Sequence, residues 1–347
     1  MIYDEKRFIL FVIDRLRFSI MATRLNCTFV SAFLVLISAT LTIAQSGWFK
    51  LPPPGTGDLV AVYFTSAEQG WIAGDNGFLA STTNGGKTWK PYKLSATEDI
   101  NEIYFRNDTN GYLVAGRKMF ATNDGGKTWN ETRIYRQGEF KNLSPEFLSI
   151  RFADKKRGIA IGSLLRKVKN EDVVVDSLVM RTDDGGENWT RIQMPTKTEL
   201  FHLDFNGSSH AWIVGDDGVI LASTDSGRTW VKQSSGTTNA LYNVDFRDDN
   251  EGYAVGEKGT ILRTENGGAT WTRVLTNFTE TFMRVDFADD NNGWIVGYRG
   301  SILRSSDKGR TWIKQESGTT NHLYGLFMFK KYGWAIGAKG TVLGYQR

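Results

Sequence analysis

An eight-residue pattern recurs six times and limits what this chain can fold into. In its fullest form it reads Ser223-Thr224-Asp225-Ser226-Gly227-Arg228-Thr229-Trp230. Aligned on the tryptophan, the copies end at Trp89, Trp129, Trp189, Trp230, Trp271 and Trp312. Five residues before each stands Asn84, Asp124, Asp184, Asp225, Asn266 or Asp307, and seven before stands a Thr or Ser. An Asp or Asn oxygen at that position accepts backbone N–H bonds, and the Gly three before the tryptophan supplies the positive φ that closes the loop. The indole gives the turn an apolar side to fold over. The pattern predicts a hairpin turn whose Asp and Trp residues are structural, because an Asp consumed by its own backbone has little left for chemistry.

A second motif precedes each turn. Phe64, Phe105, Phe152, Phe205, Phe246, Phe287 and Phe327 lie seven residues before Trp71, Tyr112, Ile159, Trp212, Tyr253, Trp294 and Trp334. The seven units are spaced by 41, 47, 53, 41, 41 and 40 residues. Each reads as four short strands, and four-stranded repeats of about 40 residues predict propeller blades. Seven front motifs against six turns leaves one fourth strand missing. Ser46-Gly47-Trp48-Phe49-Lys50-Leu51 resembles a post-turn strand, with Trp48 placed 41 residues before Trp89. The expected fold is therefore all-β: one seven-bladed propeller over 45–347, its last blade completed by an N-terminal strand that removes a free edge.

Residues 1–44 stand outside the repeat. The charge-free run from Phe29 to Ile43, with small residues before Gln45, predicts a secretory signal starting at Met21 and cleaved after Ala44. At 15 residues it is short for a membrane span, which takes about 20. Cys27, the single cysteine, precedes the apolar run, so no thiol chemistry is expected in the mature chain. Three histidines make a His/Cys metal site implausible, and no metal or other cofactor is expected.

Candidates for chemistry reduce to architecture. Gly85-Gly86-Lys87-Thr88 and Gly125-Gly126-Lys127-Thr128 mimic the end of a phosphate loop, but Ser81 and Ala121 stand where its first Gly belongs. Asp204, Asp245 and Asp286 occupy one equivalent position in successive blades. A catalytic carboxylate pair needs unlike surroundings to separate its pKa values, so the expectation is hydrogen bonding or ion pairing between blades. Charge says more. Between Glu131 and Asn170, ten basic residues face four acidic ones, and the stretch spans both insertions that lengthen the third unit. Arg133, Arg136, Arg151, Arg157, Arg166, Lys167 and Lys169 are the candidate partner-binding residues, a surface for an acidic protein segment.

The Phe…Gly-Trp…Gly units and the T-x-D-G-G-x-T-W turns resemble the photosystem II stability/assembly factor family, a group with bacterial-neuraminidase (Asp-box) repeats. The resemblance covers Trp48 to the C-terminus. It implies an exported protein in the thylakoid lumen, the periplasm or outside the cell. It also implies a non-enzymatic role in which arginines on the propeller help bind a newly made reaction-centre subunit. Arg133, Arg136, Arg151 and Arg157 are placed to serve. Nucleic acid and small-molecule substrates are not implied, and a monomer is expected. Two alternatives stay open: a general secreted scaffold or adhesion propeller, and a sialidase-like glycoside hydrolase. Against the latter, no Arg-Ile-Pro occurs and seven units are counted rather than six.

Overall fold

The computed structural model describes residues 47–347; the expected signal, its start at Met21, its cleavage site and Cys27 lie outside the described residues. Seven four-stranded antiparallel sheets follow one another round a ring. The inner strand of each touches the inner strands of its two neighbours, and the first, Leu59–Phe64, meets the last, Leu323–Met328, to close the circle. The last sheet takes its outer strand from the N-terminus: Gly47–Lys50 pairs with Val342–Gln346, with Trp48 opposite Tyr345. Trp48 also donates from Nε1 to Gln315 Oε1 at 3.1 Å, tying this strand to the outer strand of blade six.

The two motifs meet between blades. The Phe ending an inner strand stacks on the strand-two aromatic of the preceding blade: Phe64 on Trp334, Phe105 on Trp71, Phe152 on Tyr112, Phe246 on Trp212 and Phe287 on Tyr253. The box tryptophan of its own blade meets the same ring edge-on, as Trp89 meets Phe64 and Trp312 meets Phe287. Such pairs contribute about 0.5–1.5 kcal/mol each beyond the area they bury. Five of the seven junctions thus stack through three aromatic residues; Ile159 and Met328 replace one of the three in the other two. Glycine at the start of strand two is needed there, since a Cβ on Gly111 would meet the Phe105 ring at 2.7 Å.

Blade seven departs from the sequence register. Met328, not Phe327, pairs with the strand-two glycine, Gly333, as Phe64 pairs with Gly70. Its first hairpin is one residue shorter than in blade one, and the inner-strand interval from Phe287 becomes the 41 residues of its neighbours. Phe327 moves to the position before, where its ring faces those of the channel.

Candidate functional site

Each box turn is closed from inside. Asp225 Oδ1 accepts from the Ser223 hydroxyl at 2.8 Å and from the N–H groups of Arg228 and Thr229 at 2.9 Å. Its Oδ2 accepts from the Thr229 hydroxyl at 2.7 Å, and Trp230 Nε1 donates to Gly227 O at 3.1 Å. Asp124, Asp184 and Asp307 accept the equivalent N–H bonds from Thr128, Asn188 and Thr311, and Asn84 and Asn266 do so with an amide oxygen. The hydrogen bonds from Thr128 hold the Asp124 carboxyl down at about 2, and those from Asn188 do the same for Asp184. Neighbouring blades are pinned to these turns, because Trp212 Nε1 donates to Gly267 O and Tyr253 Oη to Lys308 O.

Strand direction sorts every loop onto one of two faces. The box turns share a face with the loops joining first to second strands, as the bond from Gly185 N to Lys156 O shows. The loops joining second to third strands, and the connections between blades, share the other, as in Asp216 N to Glu199 O. The seven basic candidates therefore separate. Arg133 and Arg136 lie exposed on the connection entering blade three. Arg166, Lys167 and Lys169 lie exposed at the tip of its long hairpin, Gly158–Val168 with Glu171–Thr182. Both insertions lie on one face and share a core in which Ile134 and Phe140 join Leu164 and Leu178. Arg157 sits on the opposite face, bound to Asp154 at 2.5 Å and to the Ser226 hydroxyl at 2.7 Å.

Two sequence readings change at this point. The basic run ends at Asn170, but the antiparallel partner strand brings Glu171 opposite Val168, Asp172 opposite Lys167 and Asp176 opposite Leu164. The hairpin tip is of mixed charge. Arg151, second, is no surface residue: it points into the channel at the ring's centre. There it binds Glu102 at 2.6 Å, donates to Ile150 O at 2.8 Å, and lies with its guanidinium 5.1 Å from the Tyr104 ring centre.

The channel is built in layers, because inner strands present every second residue to the axis. One layer takes the residue before each Phe or Met: Tyr63, Tyr104, Arg151, Asp204, Asp245, Asp286 and Phe327. Tyr63 and Tyr104 donate to the carbonyls of Phe105 and Phe152 in the next blade. Asp204, Asp245 and Asp286 accept from the N–H groups of Phe246, Phe287 and Met328. The aspartates are hydrogen-bonded between blades, and none has a cation within salt-bridge distance among the described residues. Burial pushes the Asp204 carboxyl up to about 6 and that of Asp286 up to about 7. Asp245, between them, is raised by burial and then by the charges of Asp286 and Asp204.

Two residues deeper come Glu102, Ser149, His202, Asn243 and Arg284, at positions the motifs do not mark. Their only sequence signal is the period of two counted back from the residue before the Phe. Glu102 Oε2 accepts from Ile150 N, Ser149 Oγ from Leu203 N and Asn243 Oδ1 from Val285 N, so this layer also ties blade to blade. Among the described residues Arg284 reaches only the carbonyls of Tyr242 and Met283, and burial lowers its pKa. Burial likewise drops His202 to about 4, leaving a neutral imidazole.

Comparison with known proteins bears on what this scaffold is. The model of the family described as photosynthesis system II assembly factor YCF48 matches residues 182–279, 229–314 and 276–346 in overlapping registers, as a repeat should. The chain is a seven-bladed propeller whose C-terminal half resembles photosystem II assembly factors. The photosystem II assembly lipoprotein Ycf48 of Synechococcus sp. (strain CC9902) is 28% identical over 112 residues, covering 31% of this chain and 28% of the relative's length. The alignment thus spans under a third of that relative. Among solved structures, YCF48 bound to D1 peptide superposes with a TM-score of 0.68 at 22% identity, over 86% of this chain and 94% of that one. YCF48 from Cyanidioschyzon merolae gives 0.68 at 18%, over 87% and 99%. At these identities the two structures speak for the fold. A second family model, for sortilin and neurotensin receptor 3, matches residues 78–211.

Proposed function

We propose that this chain is a non-enzymatic, exported assembly factor that binds a reaction-centre subunit of photosystem II. The observation that carries the reading is the family match across residues 182–346. It is supported by a related propeller being known with a D1 peptide. The polar groups that suggest catalysis are engaged elsewhere: the box carboxylates hold their own turns, and the channel aspartates hold neighbouring blades. Export is supported by the apolar run 29–43 and by the Synechococcus relative being a lipoprotein.

The docking surface lies on the face opposite the box turns, where Arg133 lines a groove with Arg117, Lys118, Glu131 and Tyr135, and Arg136 is exposed on the same connection. Cations there act through charge-assisted bonds and long-range attraction. Changing Arg133 and Arg136 to Glu leaves folding intact, since exposed charges contribute little to stability. It slows association with host membranes carrying newly made reaction centres, measured by surface-captured binding kinetics. Reversing Lys155 and Lys156, exposed on the opposite face, changes little. Equal losses from both pairs would assign the effect to net charge and remove this surface.

A further inference from the structure

The channel end nearest the box turns carries chemistry that blade-to-blade bonding does not use. Tyr63 and Tyr104 fill the inter-blade role with a single hydroxyl each. Asp204, Asp245 and Asp286 fill it with one carboxylate oxygen, Oδ2, and leave Oδ1 without a hydrogen bond among the described residues. Three carboxylates on consecutive blades thus meet one cavity, and across it stand three aromatic rings on consecutive blades. Phe327, Tyr63 and Tyr104 follow one another at centroid distances of 4.8 and 6.0 Å. Within the cavity, Glu102 is satisfied by Arg151, and Arg284 bonds backbone carbonyls. Four carboxylates therefore face two guanidiniums, and the surplus negative charge belongs to the aspartates.

A second observation is independent of the acids. His202 lines the same cavity at 5% exposure, and its Nδ1 has no partner among the described residues. Two groups meet His202 Nε2, Arg151 Nη2 at 3.1 Å and Glu102 Oε1 at 3.5 Å; the nearer is a guanidinium, which only donates, so Nε2 accepts from it and Nδ1 carries the ring proton. A buried N–H without an acceptor is costly, and an incoming carbonyl relieves it.

We propose that this channel mouth binds an alkylammonium group, a lysine side chain or free amino terminus of a partner polypeptide, beside one peptide carbonyl. The aspartates accept the ammonium protons, the aromatic arc stabilises the cation through its ring faces, and His202 donates to the carbonyl. The docking proposed above is not a premise. That surface is basic and on the other face, so the two fail separately.

Calorimetry on the full-length protein at pH 8 tests it, with three blocked or free tripeptides as probes. Acetyl-Gly-Lys-Gly-amide carries the side-chain ammonium, Gly-Gly-Gly-amide the terminal one, and acetyl-Gly-norleucine-Gly-amide neither. One or both ammonium probes bind one to one, at least tenfold tighter than the norleucine peptide, and the tighter of the two names the source. Asp245→Asn with Asp286→Asn keeps an oxygen for the Phe287 and Met328 N–H groups and weakens the ammonium probe at least tenfold. On the unaltered protein, affinity falls as pH drops from 8 to 5, because Asp204 and Asp286 protonate near 6 and 7. Of the groups facing them, Tyr63 and Tyr104 titrate far above this range, Glu102 and His202 below it, and Arg151 and Arg284 stay charged. Norleucine binding equal to lysine, affinity independent of pH, or an Asn variant that binds like the parent would each overturn the site.

Discussion

At the scale of single residues, the same side chain does opposite things in two places. Asp225 is solvated, and its turn bonds outweigh the effect of burial to hold its carboxyl at about 2. Its folded pKa lies below the unfolded value of about 3.9, so its contribution is present above pH 4 and lost as pH falls toward 2. Asp225→Ala costs about 1 kcal/mol at neutral pH, because water replaces part of the bonding. Trp230→Ala costs about 3–5 kcal/mol, the range for a large aromatic lost from a packed site. Both are read from urea unfolding. The channel aspartates run the other way. Folded pKa values raised to about 6 and 7 mean that the folded state keeps protons the unfolded state has released. Stability therefore falls as pH rises from about 4 to 7. Asp286→Asn raises the melting temperature at pH 8 and leaves it nearly unchanged at pH 4; a variant less stable at pH 8 would show that the charge stabilises the ring.

Elements show where sequence reasoning holds and where it stops. The clasp was legible because Trp48 keeps the period of the box tryptophans, and the paired strands place it opposite Tyr345. Trp48→Ala opens the contact with Tyr345 and the bond to Gln315, and lowers the melting temperature by several degrees. Blade seven was misregistered because a Phe stood one residue from where the pattern wanted one, and Met328 fills the aromatic site with a flexible side chain. The charge of blade three was misjudged for a different reason. A linear window counts residues along one strand, while a hairpin places Glu171, Asp172 and Asp176 across from it. Replacing 166–173 with a two-residue turn removes only exposed or half-buried side chains and shifts the melting temperature little, as differential scanning calorimetry will show.

At the largest scale, residues 47–347 form a ring whose similar junctions make the fold easy to read and the site hard. Repetition announces most residues that pack between blades, from the Phe to the box tryptophan, and misses Met328 where the pattern slips. It says nothing of the channel layer holding Glu102, His202 and Arg284, because those positions differ from blade to blade and belong to no motif. Arg151 shows the cost: counted with a basic surface by its neighbours in sequence, it is bound to Glu102 at the axis. Surface cations that do remain exposed fall on two opposite faces, so a partner engages one or the other. The most direct test of the assembly-factor account is calorimetric titration of the protein with synthetic D1 peptides, repeated at rising salt. The account predicts one-to-one binding that weakens with salt, as charge attraction is screened over about 10 Å at 0.1 M and 3 Å at 1 M, and that weakens further in Arg133→Glu/Arg136→Glu. Absence of binding by every D1 peptide at low salt would contradict it.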